Sequence, residues 1–200
     1  MEEILLHAFK YDPLIVSVCQ GPNNKAIMDY PFTPLHVVAE IIRNPKYLKG
    51  ITDEIRKYVD DKAKRDILKA SLPYFTFGCQ SHYRKTEYVL RPTGLCMLDI
   101  DKLASFELAE DLKKTLAQDA DLDPKLIYIS PSGLGVKALI NRPLNPTMTI
   151  VEAQRNNQQM VNHVFNCRYA AKYGVYADDS GSDLVRSCSI CHDNNVIFKY

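Results

Sequence analysis

Apolar residues run almost unbroken through residues 14–19, 94–100, 126–129 and 136–140. Each run is too short for a usual helix and is bounded by Gly, Pro, Asn, Asp or Ser, so strands are expected there. Residues 74–78 and 185–190 add two more, and the Gln20-Gly21-Pro22-Asn23-Asn24 stretch behind the first run predicts a sharp reversal. A longer period governs residues 33–43, a short helix opened by Thr33-Pro34, and residues 52–70, where Ile55, Val59, Ala63 and Ile67 recur every fourth position. That spacing predicts one continuous helix with one buried stripe. Its cations Lys57, Lys62, Lys64 and Arg65 fall off the stripe, most simply as a solvated face. Ser105 suits the N-cap of a helix whose apolar row is Leu108, Leu112 and Leu116 and which ends in the acidic turn 119–124. Residues 146–173 are again helical, with Gly174 as a stop. Strands mixed with helices in this order give an α+β (mixed α/β) fold. Length allows one core: a single domain over residues 1–200, with a largely helical, motif-free part over 1–70 and a motif-bearing part over 71–200.

Composition narrows the partners. The 25 basic and 24 acidic side chains nearly cancel, so no global positive field announces a histone-like binder, and any nucleic-acid contact must be local. No apolar run reaches the roughly 18 residues of a membrane span, and the acidic start does not resemble a secretory leader, so no membrane is expected and the location expected is cytoplasmic. In that setting the six cysteines are best treated as reduced thiols. Cys188-Ser189-Ile190-Cys191-His192 has the CxxCH spacing of haem attachment, but that chemistry requires export; no haem is expected.

Three clusters could carry chemistry. Asp99 and Asp101 close an apolar strand, and residues two apart point the same way, so their carboxylates converge. Such a pair repels itself unless a cation sits between, and Mg²⁺ or Mn²⁺, which favour oxygen ligands, suit it. The plainer alternative has Asp101 capping the next helix and Asp99 paired with an arginine. The second cluster, Ser130-Pro131-Ser132-Gly133-Leu134-Gly135-Val136-Lys137, offers small residues for close phosphate approach and a lysine for a triphosphate, or else an ordinary hairpin turn. It lacks the Walker A spacing. The third, Asp178-Asp179-Ser180-Gly181-Ser182-Asp183-Leu184-Val185-Arg186, supplies carboxylates and an arginine able to grip phosphate, or else a polar surface loop.

In order, Leu72-Pro73-Tyr74-Phe75-Thr76-Phe77-Gly78, Tyr83-Arg84-Lys85, Thr93-Gly94-Leu95-Cys96 leading to Asp99-Ile100-Asp101, the Ser130–Lys137 loop and Asp178 through Arg186 resemble the VirE N-terminal domain family. That family is regarded as a Bacteroides-type branch of the archaeo-eukaryotic primase, or primase–polymerase, superfamily. The resemblance spans roughly residues 70–195. It implies a catalytic core with an RRM-like sheet and a DNA primase or nucleotidyltransferase activity in replication of chromosomal or mobile-element DNA. It further implies Asp99, Asp101 and Asp178 as metal-binding and catalytic carboxylates. Ser130, Ser132, Gly133, Gly135, Lys137, Asp183 and Arg186 would hold a nucleoside triphosphate. Lys137 stands where the superfamily usually has histidine, which leaves nucleotide binding better supported than polymerisation. The implied partners are a single-stranded nucleic-acid template and a helicase-type domain or protein, the latter fitting a chain that is the N-terminal part of something longer. The alternative is an inactive nucleic-acid-binding module that recruits such a helicase.

Overall fold

The structure is a computed structural model that describes residues 14–20, 26–177 and 182–200. Among these residues, six helices and ten strands form three antiparallel sheets. The first sheet takes the order β2-β1-β3-β9, built from β1 Ile15–Cys19, β2 Tyr30–Pro34, β3 Tyr74–Thr76 and β9 Ser187–Ser189. The second takes the order β10-β7-β8-β6, from β6 Leu95–Ile100, β7 Pro124–Ile129, β8 Val136–Asn141 and β10 Ile197–Phe198. A small hairpin pairs β4 Cys79–Ser81 with β5 Val89–Pro92. The helices are α1 Leu35–Arg43, α2 Pro45–Lys57, α3 Lys62–Ala70, α4 Phe106–Gln118, α5 Ile150–Arg168 and α6 Ala170–Tyr173. Leaving out the strand lent to the first sheet, the elements of this part run β6-α4-β7-β8-α5-β10, and the last strand pairs with β7.

The unbroken apolar runs have a simple cause: the second sheet is buried on both faces. Leu95, Met97, Leu126, Tyr128 and Leu139 enter a core shared with β1, α1 and α2, while Cys96, Leu98, Ile127, Ile129, Ala138 and Ile140 pack with α4 and α5. Strand alternation sorts them without exception. β6 lies at the edge of its sheet, where backbone groups would lack partners. Helix α5 supplies them from side chains: Gln158 accepts from the Met97 N–H at 3.1 Å and donates to the Met97 carbonyl at 2.7 Å, and Gln154 donates to the Leu95 carbonyl at 2.8 Å.

Several expected elements differ. Residues 52–70 do not make one helix: α2 ends at Tyr58, whose N–H returns to the Ile55 carbonyl, and Asp61 caps a new helix by accepting from Lys64 N–H at 3.0 Å. The break changes the phase of the stripe, so Ile55 is buried but Val59 and Ile67 are exposed, Ile67 at 74%. Thr33 and Pro34, expected to open a helix, first pair with β1 as the end of β2, and the helix begins directly after them at Leu35. The long helix over 146–173 begins at Ile150 behind a Thr149–Glu152 capping box, breaks at Tyr169, and ends at Gly174 with φ of 70°. The final strand is shorter than residues 185–190. Each of the six cysteines is free, and only Cys167 is exposed. The CxxCH residues are interior: His192 Nδ1 lies 3.0 Å from the Ile42 carbonyl, and Cys191 donates to the Ile129 carbonyl at 3.2 Å. Among the described residues no helix is long and apolar enough to cross a membrane.

Candidate active site

Asp99 on β6 and Lys137 on β8 are direct register partners, so their side chains leave the sheet together. Lys137 Nζ donates to Asp99 Oδ2 at 2.5 Å. The pair ends a row that is otherwise apolar, Leu95 and Met97 on one strand and Leu139 on the other. Both are largely buried, the Lys137 side chain 12% and that of Asp99 20% exposed. Burial works against the Lys137 charge, yet Cys188 and the carboxylates of Asp99 and Asp101 hold its ammonium above the usual lysine range. Burial also pushes the Cys188 thiol up to about 11, so at neutral pH that thiol is uncharged and the carboxylates alone balance the lysine. The other oxygen of Asp99, Oδ1, is buried without a hydrogen-bond partner. A bare buried carboxylate oxygen is costly and calls for a cation or a donor.

Asp101 emerges past the end of β6 and is exposed. It is not the cap of α4, a role taken by Ser105, which accepts from the Leu108 N–H at 3.2 Å. Lys102 directly after it has φ of 64°, a left-handed turn that carries the chain out of the strand. Gly135 makes room for this turn. A Cβ there would lie 2.4 Å from the Ile100 carbonyl oxygen, 2.8 Å from Asp101 Oδ1 and 2.9 Å from Ser130 Oγ. Asp101 and Ser130 therefore meet over a position that only glycine can fill.

The Ser130–Gly135 loop is tightly closed. Ser130 N–H donates to the Gly135 carbonyl at 2.9 Å, Gly133 N–H to the Ser130 carbonyl at 3.0 Å and Leu134 N–H to Ser132 Oγ at 3.3 Å. The hydroxyls of Ser130 and Ser132 lie 3.0 Å apart, and Gly133 has φ of 78°. A phosphate here would meet the serine hydroxyls and the Lys137 charge rather than a ring of bare N–H groups. One residue absent from the sequence-based candidates bears on this loop. Arg56 of α2 lies along Gly133, its Nη2 3.4 Å from the Ser130 and His192 carbonyls and its Nε buried without a partner. Nothing in the helical pattern of residues 52–70 sets Arg56 apart from its neighbouring cations.

Asp183 and Arg186 line an adjoining cleft of about 430 Å³ with Arg84, Val185 and Ser187. Its link to the pair is electrostatic: Cys188 feels the charges of Lys137, Asp99 and Arg186 together. Asp178 lies outside the described residues. The fold thus gathers Asp99, Asp101, Ser130, Ser132, Gly133, Gly135 and Lys137 at one end of the second sheet, with Asp183 and Arg186 next door.

The donor set suits a hard divalent cation in part. Asp99 Oδ1 is an unpartnered buried oxygen, but Lys137 occupies Asp99 Oδ2, and among the described residues no three His, Cys, Asp or Glu side chains gather into a cage. Two carboxylates completed by substrate phosphate is the habit of Mg²⁺ and Mn²⁺. Residues 67–198, about two-thirds of the chain, match the family model described as BT4734-like, N-terminal domain. The chain belongs to that family. The BT4734-like N-terminal domain is a Bacteroides-type family, compatible with the resemblance to VirE N-terminal domains. Its match takes in every candidate residue from Asp99 to Arg186 and, of residues 1–70, only the last four. Neither a curated protein nor a solved structure matches the chain.

Proposed function

We propose that this BT4734-like domain is a metal-dependent nucleotidyltransferase of primase–polymerase type, working in the cytoplasm on a single-stranded template. The observation that carries the proposal is the bare, buried Oδ1 of Asp99, whose partner Lys137 also feels the Asp101 carboxylate that faces Gly135 of the loop. Asp99 and Asp101, with Asp178, would hold Mg²⁺ or Mn²⁺. Bound there, the metal supplies Lewis-acid activation of a 3′-hydroxyl and neutralisation of the leaving pyrophosphate. Lys137 keeps its charge despite burial and so serves as a fixed cation for the triphosphate, joined by Ser130, Ser132 and Arg186. Gly133 and Gly135 keep side chains out of the phosphate's way, and Asp183 flanks Arg186. In the reaction the 3′-oxygen bonds to the α-phosphorus, the α–β bridging bond breaks, and pyrophosphate departs.

The Lys137–Asp99 bond favours a second reading. Lys137 already supplies Asp99 with a cation, which suits an inactive nucleic-acid module that recruits a helicase-type partner. Calorimetric titration of dATP into the wild type and Asp99→Ala, with and without Mn²⁺, separates the two. Binding that needs Mn²⁺ and disappears in the variant supports the enzyme; no binding under any condition rules it out.

A further inference from the structure

The net charge of the whole chain is +1, yet residues 82–91 alone carry Arg84, Lys85 and Arg91 against Glu87, a local excess of two. This stretch is the tip and outgoing strand of the β4–β5 hairpin. Its base is fixed: β4 is buried throughout, and Ser81 N–H donates to Ser17 Oγ at 2.8 Å. Its tip is open. Tyr88 is 51% exposed, and its ring stands 5.3 Å from that of Tyr83, which Lys85 Nζ approaches to 5.6 Å. Arg84 turns inward, over the Tyr74 ring at 5.0 Å and onto Ser187 Oγ at 3.0 Å, and lines the cleft of Asp183 and Arg186.

We infer that this hairpin tip is the docking surface for a single-stranded polynucleotide. Cations interleaved with an open aromatic face are what such a strand recognises: phosphates take the charge, and unstacked bases lie on the ring. A duplex keeps its bases stacked and cannot use the Tyr88 face. Lys85 meets the backbone, Tyr88 takes a base, and Arg84 hands the strand towards the cleft. The rival surface is α3, which carries four cations, Lys62, Lys64, Arg65 and Lys69, against Asp66, but offers no exposed aromatic platform: the Tyr58 ring, with Lys64 over it at 3.8 Å, is half-buried.

The inference deepens the proposed function by locating its template, but its test needs neither metal nor nucleotide. Fluorescence anisotropy would be measured with labelled oligo-dT and oligo-rU of about 15 nucleotides in EDTA. The proteins are the wild type, Tyr88→Ala, Lys85→Glu and Lys64→Glu. Expected are salt-sensitive binding to a single strand, a loss of about tenfold in Tyr88→Ala and in Lys85→Glu, and wild-type affinity in Lys64→Glu. The two probes tell DNA from RNA. Wild-type affinity in either hairpin variant, loss in Lys64→Glu, or no binding by the wild type would each overturn the assignment. Because EDTA removes the metal and no nucleotide is added, a failed metal–nucleotide titration leaves the docking surface standing, and the reverse holds equally.

Discussion

Lys113 and Lys137 each reach an aspartate from inside the protein, Lys113 from α4 and Lys137 from β8. Asp193, the partner of Lys113, has both oxygens engaged. Oδ2 accepts from Ile129 N–H at 2.8 Å and from Lys113 at 3.0 Å; Oδ1 accepts from Asn195 N–H at 2.9 Å and from Lys113 at 3.2 Å. Glu110 accepts from the same ammonium at 2.8 Å. Asp99 has Lys137 on one oxygen and nothing on the other. The same two residue types thus make a fully hydrogen-bonded strut in one place and a half-satisfied pair in the other. Completeness of hydrogen bonding, together with the greater exposure of the second pair, separates scaffold from candidate chemistry here.

The widest gap should appear in stability. Asp193→Ala leaves a lysine that is 1% exposed with Glu110 as its remaining partner and strips the Ile129 and Asn195 N–H groups of their acceptor, so a loss of about 3 kcal/mol is expected in urea unfolding. A loss under about 1 kcal/mol would erase the distinction. Asp99→Asn removes a less buried, half-satisfied charge while Asp101 stays near the ammonium, and should cost only about 2 kcal/mol while abolishing Mn²⁺-dependent nucleotide binding. Equal stability losses in the two variants would show that both pairs are struts. Alkaline titration comes next. Burial pushes the thiols of Cys96 and Cys191 up to about 12 and that of Cys188 up to about 11, against 9.0 for an ordinary thiol. The unfolded chain therefore loses these protons first, and their contribution is intact below pH 9 and lost as pH rises from 9 towards 12. At pH 10 the loss is about 1 kcal/mol per thiol, readable as a fall in Tm that Cys191→Ala lessens. Least of all, Ile67→Ala on the exposed face of α3 should stay within about 0.5 kcal/mol of wild type; a larger cost would restore the continuous buried stripe.

Much of this could be read from residue order. The strand runs and the Ser105 cap follow from local rules of alternation and capping. Lys137 stood out as a phosphate cation, but its register partner did not, because pairing across 38 residues depends on which strands become neighbours. The break at Tyr58 was hidden by a pattern that stayed periodic on either side of it. Strand β10 has only two residues, and β4 and β5 are three and four residues long, below the length at which alternation signals anything. Nothing in the sequence pattern assigns a role to Asp193 or to Arg56. Each acquires its role from a partner more than 70 residues away.

The side-chain amides along α5 also act as a ruler. They bond to Leu95 and Met97, the two inward positions that precede Asp99 on the same face of β6. A slip of one residue would turn Asp99 towards α5 and bring Leu98 opposite Lys137. By gripping both polar atoms of Met97, Gln158 makes that slip break two bonds at once, so the helix that closes the sheet also fixes which way the carboxylate faces.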